Sequence, residues 1–366
     1  MEILVLAFAA LLAFANGAND NSKGVATLVG HGAAGPRTAL AWAAVTTAIG
    51  AAIGAVIGGR LVKVFRAGFV GGGEALSPEF FAAVLVGALV WVLFATRTGL
   101  PVSTTHSILG GLLGAGLVEV GMAQIGWSAL AQKSLLPLLT SPLVVMALVF
   151  LAGRPLARLV ARIEPRCICT VQTLEALRPG EAAVAIPRIA LISGETESCA
   201  VHSPSVSVSG RTMVNTLHWG TSGMVGLARG WNDTPKIAAL AMIAMPVGTN
   251  TVGAFVLVAV AMALGGLIAG RRVLATLAEK ITPLPLGESL ASSGVSAVLV
   301  ALASWRGLPV STTHVTTGGI VGAGVARSAS GVHWPVVRAV ALSWVVTLPA
   351  AAFVAAGARL ILGVVR

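Results

Sequence analysis

A chain of 366 residues that is 56% apolar and only 10% charged, with a mean hydropathy of +0.91, cannot cover the surface of a soluble protein. Its apolar runs match the roughly 17–25 residues of a helix crossing ~30 Å of hydrocarbon, whereas the alternating strands of an outer-membrane barrel read differently. The net charge of +11 lies between the apolar runs and forms no basic face, which argues against a nucleic-acid partner and suits the Lys/Arg excess that orients membrane proteins. No small-residue cleavage site follows the first run, so no cleavable signal peptide is expected. Three cysteines, Cys167, Cys169 and Cys199, are too few for a disulfide framework.

In chain order, a first apolar run at 3–30 is interrupted by Gly17-Ala18-Asn19-Asp20-Asn21-Ser22-Lys23. A full-length helix is expected over 38–59. Two apolar arms, 80–97 and 103–120, meet at Gly99-Leu100-Pro101-Val102-Ser103-Thr104-Thr105-His106, and a long helix over 134–160 follows. Residues 161–212 then break the pattern with Glu164, Glu175, Glu181, Glu195 and Glu197, all three cysteines, and β-like runs at 182–186 and 189–192. This segment reads as a water-exposed cytoplasmic linker suited to a small strand-rich fold, entered through Arg154, Arg158, Arg162 and Arg166 at helical spacing. Cys167 and Cys169 have C-x-C spacing without the further ligands of a metal site, and read as inert.

After the linker the same order returns at 213–247, 251–270, 288–305, 311–326 and 335–363. Gly230-Trp231-Asn232-Asp233-Thr234-Pro235-Lys236 shares the pattern G-x-N-D-x-x-K with the first motif, at an offset of 213 residues. Gly307-Leu308-Pro309-Val310-Ser311-Thr312-Thr313-His314 repeats the earlier eight residues without change, at an offset of 208. The chain is a duplication. It divides into a membrane repeat at 1–160, the linker at 161–212 and a second repeat at 213–366. If each pair of arms is a re-entrant hairpin, each half crosses the membrane three times and the second half is upside down relative to the first. The fold class expected is therefore an all-α polytopic membrane protein of two inverted-topology repeats, with broken helices and re-entrant helical hairpins. With the N-terminus outside, thirteen basic residues fall on the cytoplasmic side and six outside, although Arg60, Lys63 and Arg66 cluster on the outer side.

Asp20 and Asp233 are the only aspartates, both at one position of the repeated motif. A carboxylate in the membrane costs at least ~2.5–3.5 kcal/mol, so two retained copies point to function. Asp–Lys pairing within a helical turn, Asp20 with Lys23 and Asp233 with Lys236, is the plain alternative. Asn19 and Asn232 add amide oxygens and, with freed backbone carbonyls, make an oxygen cage suited to hard cations. The Ser-Thr-Thr tips suit the opposite charge. Pro101 and Pro309 disfavour helix before them, so helices starting at Ser103 and Ser311 would aim unpaired N–H groups and hydroxyls inward. Those serines and threonines also suit plain helix caps. Asp carboxylates would repel a nearby oxyanion by several kcal/mol at low dielectric, so Lys23, Lys236 and a bound Na+ or H+ must offset them. His106 and His314 suit packing better than titration.

At these residues the chain resembles the inorganic phosphate transporter (PiT) family of cation-coupled phosphate permeases, over everything but 161–212. The resemblance implies an inverted-repeat fold, a homodimer and one midplane site in a multi-pass protein of the inner (plasma) membrane. It implies phosphate at Ser103, Thr104, Thr105, Ser311, Thr312 and Thr313, and Na+ at Asp20 and Asp233 with Asn19 and Asn232. No enzymatic activity and no cofactor beyond a coupling cation, Na+ or H+, are expected. Arg229 stands where the first repeat has Asn16, so the two cages need not match. A sulfate permease of the same fold and an anion channel are the competing readings. An intramembrane hydrolase fits poorly, because Ser103 and His106 share one helix and everything occurs twice.

Overall fold

The computed structural model describes residues 1–66, 69–71, 76–176, 185–201, 206–245 and 251–364. The N-terminal half holds α1 (Glu2–His31), α2 (Pro36–Ile57), α3 (Gly59–Arg66), α4 (Pro78–Thr98) and α5 (Thr104–Glu119). A short α6 (Trp127–Ala129) and a π-helical stretch at Leu130–Leu135 lead into α7 (Leu136–Ile163). The C-terminal half holds α9 (Gly210–Ala241), α10 (Thr251–Ala269), α11 (Arg271–Glu279), α12 (Leu286–Arg306), α13 (Thr312–Arg327) and α14 (Trp334–Val364). α1–α5 and α7 thus have counterparts in α9–α13 and α14, in the same order. Among the described residues, seven helical stretches are long and apolar enough to span a membrane: α1, α2, α4, the continuous Trp127–Ile163 stretch that includes α7, α10, α12 and α14.

Between the halves, β1 (Arg166–Ala176), β2 (Ala185–Glu195) and β3 (Ser207–Ser209) form an antiparallel sheet in the order β2-β1-β3, with α8 (Thr196–Val201) after β2. The run at 182–186 begins outside the described residues; that at 189–192 lies within β2. Pairing of Cys167 with Gly194 brings the chain after β2 back over β1, and Cys167 is disulfide-bonded to Cys199. Cys167 thus has a partner 32 residues away that its spacing from Cys169 does not reveal. Cys169 is free and buried beside the pair.

The two motif helices are not broken. α1 runs through Asn16–Lys23 and α9 runs through Arg229–Lys236, Pro235 included. The amides of Asn19 and Asn232 bond to α4 and to the tip segments instead of their own helix backbone, so they do not compete with the i→i−4 ladder. The short α3 and α11 follow α2 and α10 as amphipathic helices that the apolar pattern does not register, because their charges dominate.

The halves are interlocked. α1 packs on α10 and α2 on α9, while α7 covers α13 and α14 covers α5. These crossings are set by glycines where backbones touch. A Cβ at Gly17 would lie 1.9 Å from Met262 O, and one at Gly114 1.9 Å from Ala352 O. Small residues that let membrane helices approach this closely take the place of a hydrophobic driving force, which lipid does not supply.

Candidate functional site

Each Gly-Leu-Pro-Val-Ser-Thr-Thr-His segment folds by the same local rules. Gly99 and Gly307 adopt φ of +74° and +72°, and their N–H groups close α4 and α12. The proline holds the next residues extended. Ser103 and Ser311 then cap α5 and α13, their Oγ atoms accepting from the N–H of His106 at 3.1 Å and of His314 at 3.2 Å. Val102 and Val310, in the extended stretch, keep their carbonyls outside any helix.

The two tips meet. Thr313 Oγ1 donates to Val102 O at 2.6 Å, and Thr105 Oγ1 lies 3.4 Å from Val310 O. Into this contact reach both motif lysines. Lys236 Nζ donates to Thr105 Oγ1 at 2.7 Å, to Asp233 Oδ1 at 3.1 Å and to Val310 O at 3.1 Å. Lys23 Nζ makes the matching set with Asp20, Thr313 and, at 2.9 Å, Val102 O. Each ammonium thus sits among a carboxylate and a tip carbonyl of its own half and a threonine of the opposite half's tip. The oxygens gathered here are those of Asp20, Val102 and Thr313 around Lys23 and of Asp233, Val310 and Thr105 around Lys236, the carbonyls coming from the tips and not from unwound motif helices. The oxygens of Asn19 and Asn232 accept instead from Val102 N and Ser304.

The asparagines hold the tips in register. Asn19 Nδ2 donates to Thr96 Oγ1 and Leu100 O, both at 3.0 Å, and its Oδ1 accepts from Val102 N at 3.1 Å. Asn232 Nδ2 donates to Val310 O and Asp233 Oδ1, both at 3.0 Å, while Ser304 donates to its Oδ1 at 3.2 Å. Thr96 and Ser304 are equivalent positions of the two halves. The sequence reading missed them because a hydroxyl on an apolar arm carries no signal until its partner is known.

Symmetry fails at Arg229. Its guanidinium is fully buried, donates to Asn16, Asn21 and Thr47, and places Nε 3.6 Å from Asp233 Oδ2. In the first half Asn16 Nδ2 instead donates to Asp20 Oδ2 at 2.9 Å and to Thr104 Oγ1 at 3.0 Å. Three buried cationic side chains therefore face two buried carboxylates, leaving a net charge of +1 beside two helix N-termini. Such a centre suits an anion. Of the residues expected there, Thr105 and Thr313 touch the lysines, Thr104 lies 3.4 Å from Asp20 Oδ2, Ser103 and Ser311 act as caps, and Thr312 is buried on the opposite tip. His106 and His314 stand with ring centroids 4.8 Å apart, each with a buried Nδ1 lacking a hydrogen-bond partner among the described residues.

Fold and site together define a multi-pass helical membrane protein with a charged centre enclosed between two sequence repeats. The phosphate transporter family model matches residues 16–355, a range that runs through the sheet-bearing segment, and the chain belongs to that family. A Pyrococcus horikoshii protein described as a phosphate permease is 31% identical, over 96% of this chain and 95% of its own length. A low-affinity inorganic phosphate transporter of Rhizobium meliloti, so described, is 28% identical over 96% of this chain and 93% of its own. Among solved structures, one titled as the sodium-dependent phosphate transporter superimposes with a TM-score of 0.78 at 24% identity, covering 100% of this chain and 99% of that one. The likeness in structure concerns the fold.

Proposed function

We propose that this chain is a secondary active transporter, working as a homodimer, that imports inorganic phosphate across the inner (plasma) membrane by symport with a cation. The anion binds between the tips, at Ser103, Thr104, Thr105, Ser311, Thr312 and Thr313, with Lys23 and Lys236 as its counter-charges. Asn19, Asp20, Asn232 and Asp233 form the cation-linked part of the site. The observation that carries this reading is the meeting of two hydroxyl-capped helix N-termini over lysines whose carboxylate partners do not fully neutralise them. A tetrahedral oxyanion accepts hydrogen bonds at every oxygen, and N–H, hydroxyl and ammonium groups converge there as donors.

Matching element order, with the last helix of each half covering the other half's tip helix, supports two inverted repeats. α5 and α13 have 16 residues each, about 24 Å of helix, too short to cross ~30 Å of hydrocarbon; this supports α4–α5 and α12–α13 as re-entrant hairpins. On this topology residues 161–212 face the cytoplasm.

The coupling cation is Na+ or H+. The lysine nitrogens already fill the oxygen cages, which favours the proton. The titratable and charged groups facing them are Asp20 on α1, Arg229 and Asp233 on α9, His106 on α5 and His314 on α13. Labelled phosphate uptake into proteoliposomes, with Na+ and pH gradients imposed separately and sulfate as competitor, tests the whole reading. Saturable uptake driven by one gradient is expected. Current without cation dependence marks a channel instead, and stronger inhibition by sulfate than by unlabelled phosphate reassigns the substrate.

A further inference from the structure

Between the site and the sheet-bearing end of the molecule, α1, α9, α12 and α13 enclose a narrow cavity of about 10 Å³, room for one water and too small for phosphate until the helices part. Lys23, Thr27, Ser292, Ser293, Ser296 and Thr316 line it. Ser296 Oγ is buried there with no hydrogen-bond partner among the described residues. Polar groups continue from the cavity toward the sheet. Thr221 and Ser293 hydroxyls are 2.8 Å apart, Thr27 Oγ1 lies 3.4 Å from Ser222 Oγ and 3.1 Å from His218 Nε2, and the His218 ring stands 6.1 Å from that of His31 at the end of α1.

The other half has the same helices and none of this chemistry. At the tip offset of 208 residues, Ser292, Ser293, Ser296 and Thr316 correspond to Val84, Leu85, Ala88 and Ile108. At the motif offset of 213, Thr27, Ser222 and His218 correspond to Leu240, Ala9 and Val5. All seven counterparts lie in one buried apolar cluster. Seven polar positions on one side against seven apolar ones on the other cannot be a packing requirement, because the duplicated helices pack alike. Ser293 and Thr316 give their protons to Ser289 O and Thr312 O of their own helices, which leaves their lone pairs free to turn. Ser296 Oγ is buried without a partner among the described residues, a cost unless something satisfies it.

We propose that the hydroxyl-lined file between α1, α9, α12 and α13 is the passage by which phosphate leaves the site toward the side of the sheet, and that the matching space in the N-terminal half is a dry seal in the same conformation. This rests on the transport reading above. Serine and threonine donate to a partly dehydrated oxyanion without holding it as a fixed cation would, and a conducting path needs contacts strong enough to enter and weak enough to leave. Lys23, at the inner end of the file, belongs to both the site and the passage.

Single cysteines at Ser293 and Ser296, compared with the parent chain as background, would be treated with a membrane-impermeant thiol reagent in right-side-out and inverted vesicles. Modification from the sheet side alone, slowed by inorganic phosphate, is expected, while cysteines at Leu85 and Ala88 stay unmodified from both sides. Modification of the serine positions from the opposite side, or none, overturns the proposal, as does modification that neither phosphate nor sulfate slows. Protection by sulfate alone keeps the passage and refutes the phosphate reading. Should these variants not insert, Ser296→Ala with Thr316→Val keeps the shape. Loss of two donors to an anion is expected to slow maximal uptake about tenfold or more, with apparent KM within about twofold. Unchanged maximal uptake in that folded variant overturns the proposal.

Discussion

Lys236→Met isolates the charge on which phosphate binding depends. Methionine keeps most of the stem volume and removes the ammonium that bonds Thr105, Asp233 and Val310. The centre's net charge then falls from +1 to zero. For a monovalent phosphate about 5–6 Å from that nitrogen, an effective dielectric of about 20 gives about 3 kcal/mol of lost attraction. Asp233 can relax toward Arg229, whose Nε is 3.6 Å away, so part of this returns. The expected loss is about 1.5–3 kcal/mol, a rise in Kd of about 10- to 150-fold. Breaking a buried ion pair also costs about 3–5 kcal/mol of stability, so a lower yield is expected. The assay is equilibrium binding of labelled phosphate to the monodisperse fraction in detergent, with Lys23→Met as the symmetric comparison. A folded Lys236→Met protein whose Kd stays within about threefold of wild type would refute the reasoning. The lysine would then merely neutralise Asp233.

Asp20→Asn and Asp233→Asn should each abolish coupled uptake while the protein stays folded in the membrane, since the amide keeps the shape and removes the charge; gradient-driven flux in vesicles checks this. Ser103→Ala and Ser311→Ala should each lower thermal stability by about 1 kcal/mol, as lost helix caps. These two substitutions, and likewise Thr105→Val and Thr313→Val, should also raise the apparent KM for phosphate about tenfold, through a lost bond to a charged group. Gly114→Ala should reduce folded yield, because its Cβ would meet Ala352 O at 1.9 Å, an overpacking of about 1–3 kcal/mol; size-exclusion profiles report it.

Much of this was readable from residues alone because the duplication supplies its own control. The repeated G-x-N-D-x-x-K and G-L-P-V-S-T-T-H segments mark the motif helices and the tips, and the apolar arms coincide with α4, α5, α12 and α13 to within a few residues. What resisted reading is non-local. Motif asparagines at a helix centre suggest unwinding, yet their partners at Thr96, Leu100 and Val310 lie some 80 residues away and leave α1 and α9 intact. The cage carbonyls of Val102 and Val310 are backbone groups with no signature in side-chain type. Arg229 stood out as a departure from the first repeat, but only the packing of α9 against α1 and α2 shows that it bonds Asn16, Asn21 and Thr47. The serines of α12 did have a signal, their helical spacing opposite apolar residues of α4, visible once the halves are aligned.

The exchange of covering helices between halves has a consequence for biogenesis. Gly110 and Gly114 of α5 form a face that α14 fills, and α14 is made after every other described helix. The tip of the first half therefore stays uncovered until α14 has been made. A chain interrupted anywhere before Trp334 leaves the whole molecule without its closing clasp. For the same reason, a half-length polypeptide of residues 1–160 would lack the helix that covers its own tip, and α7 would have no α13 to cover.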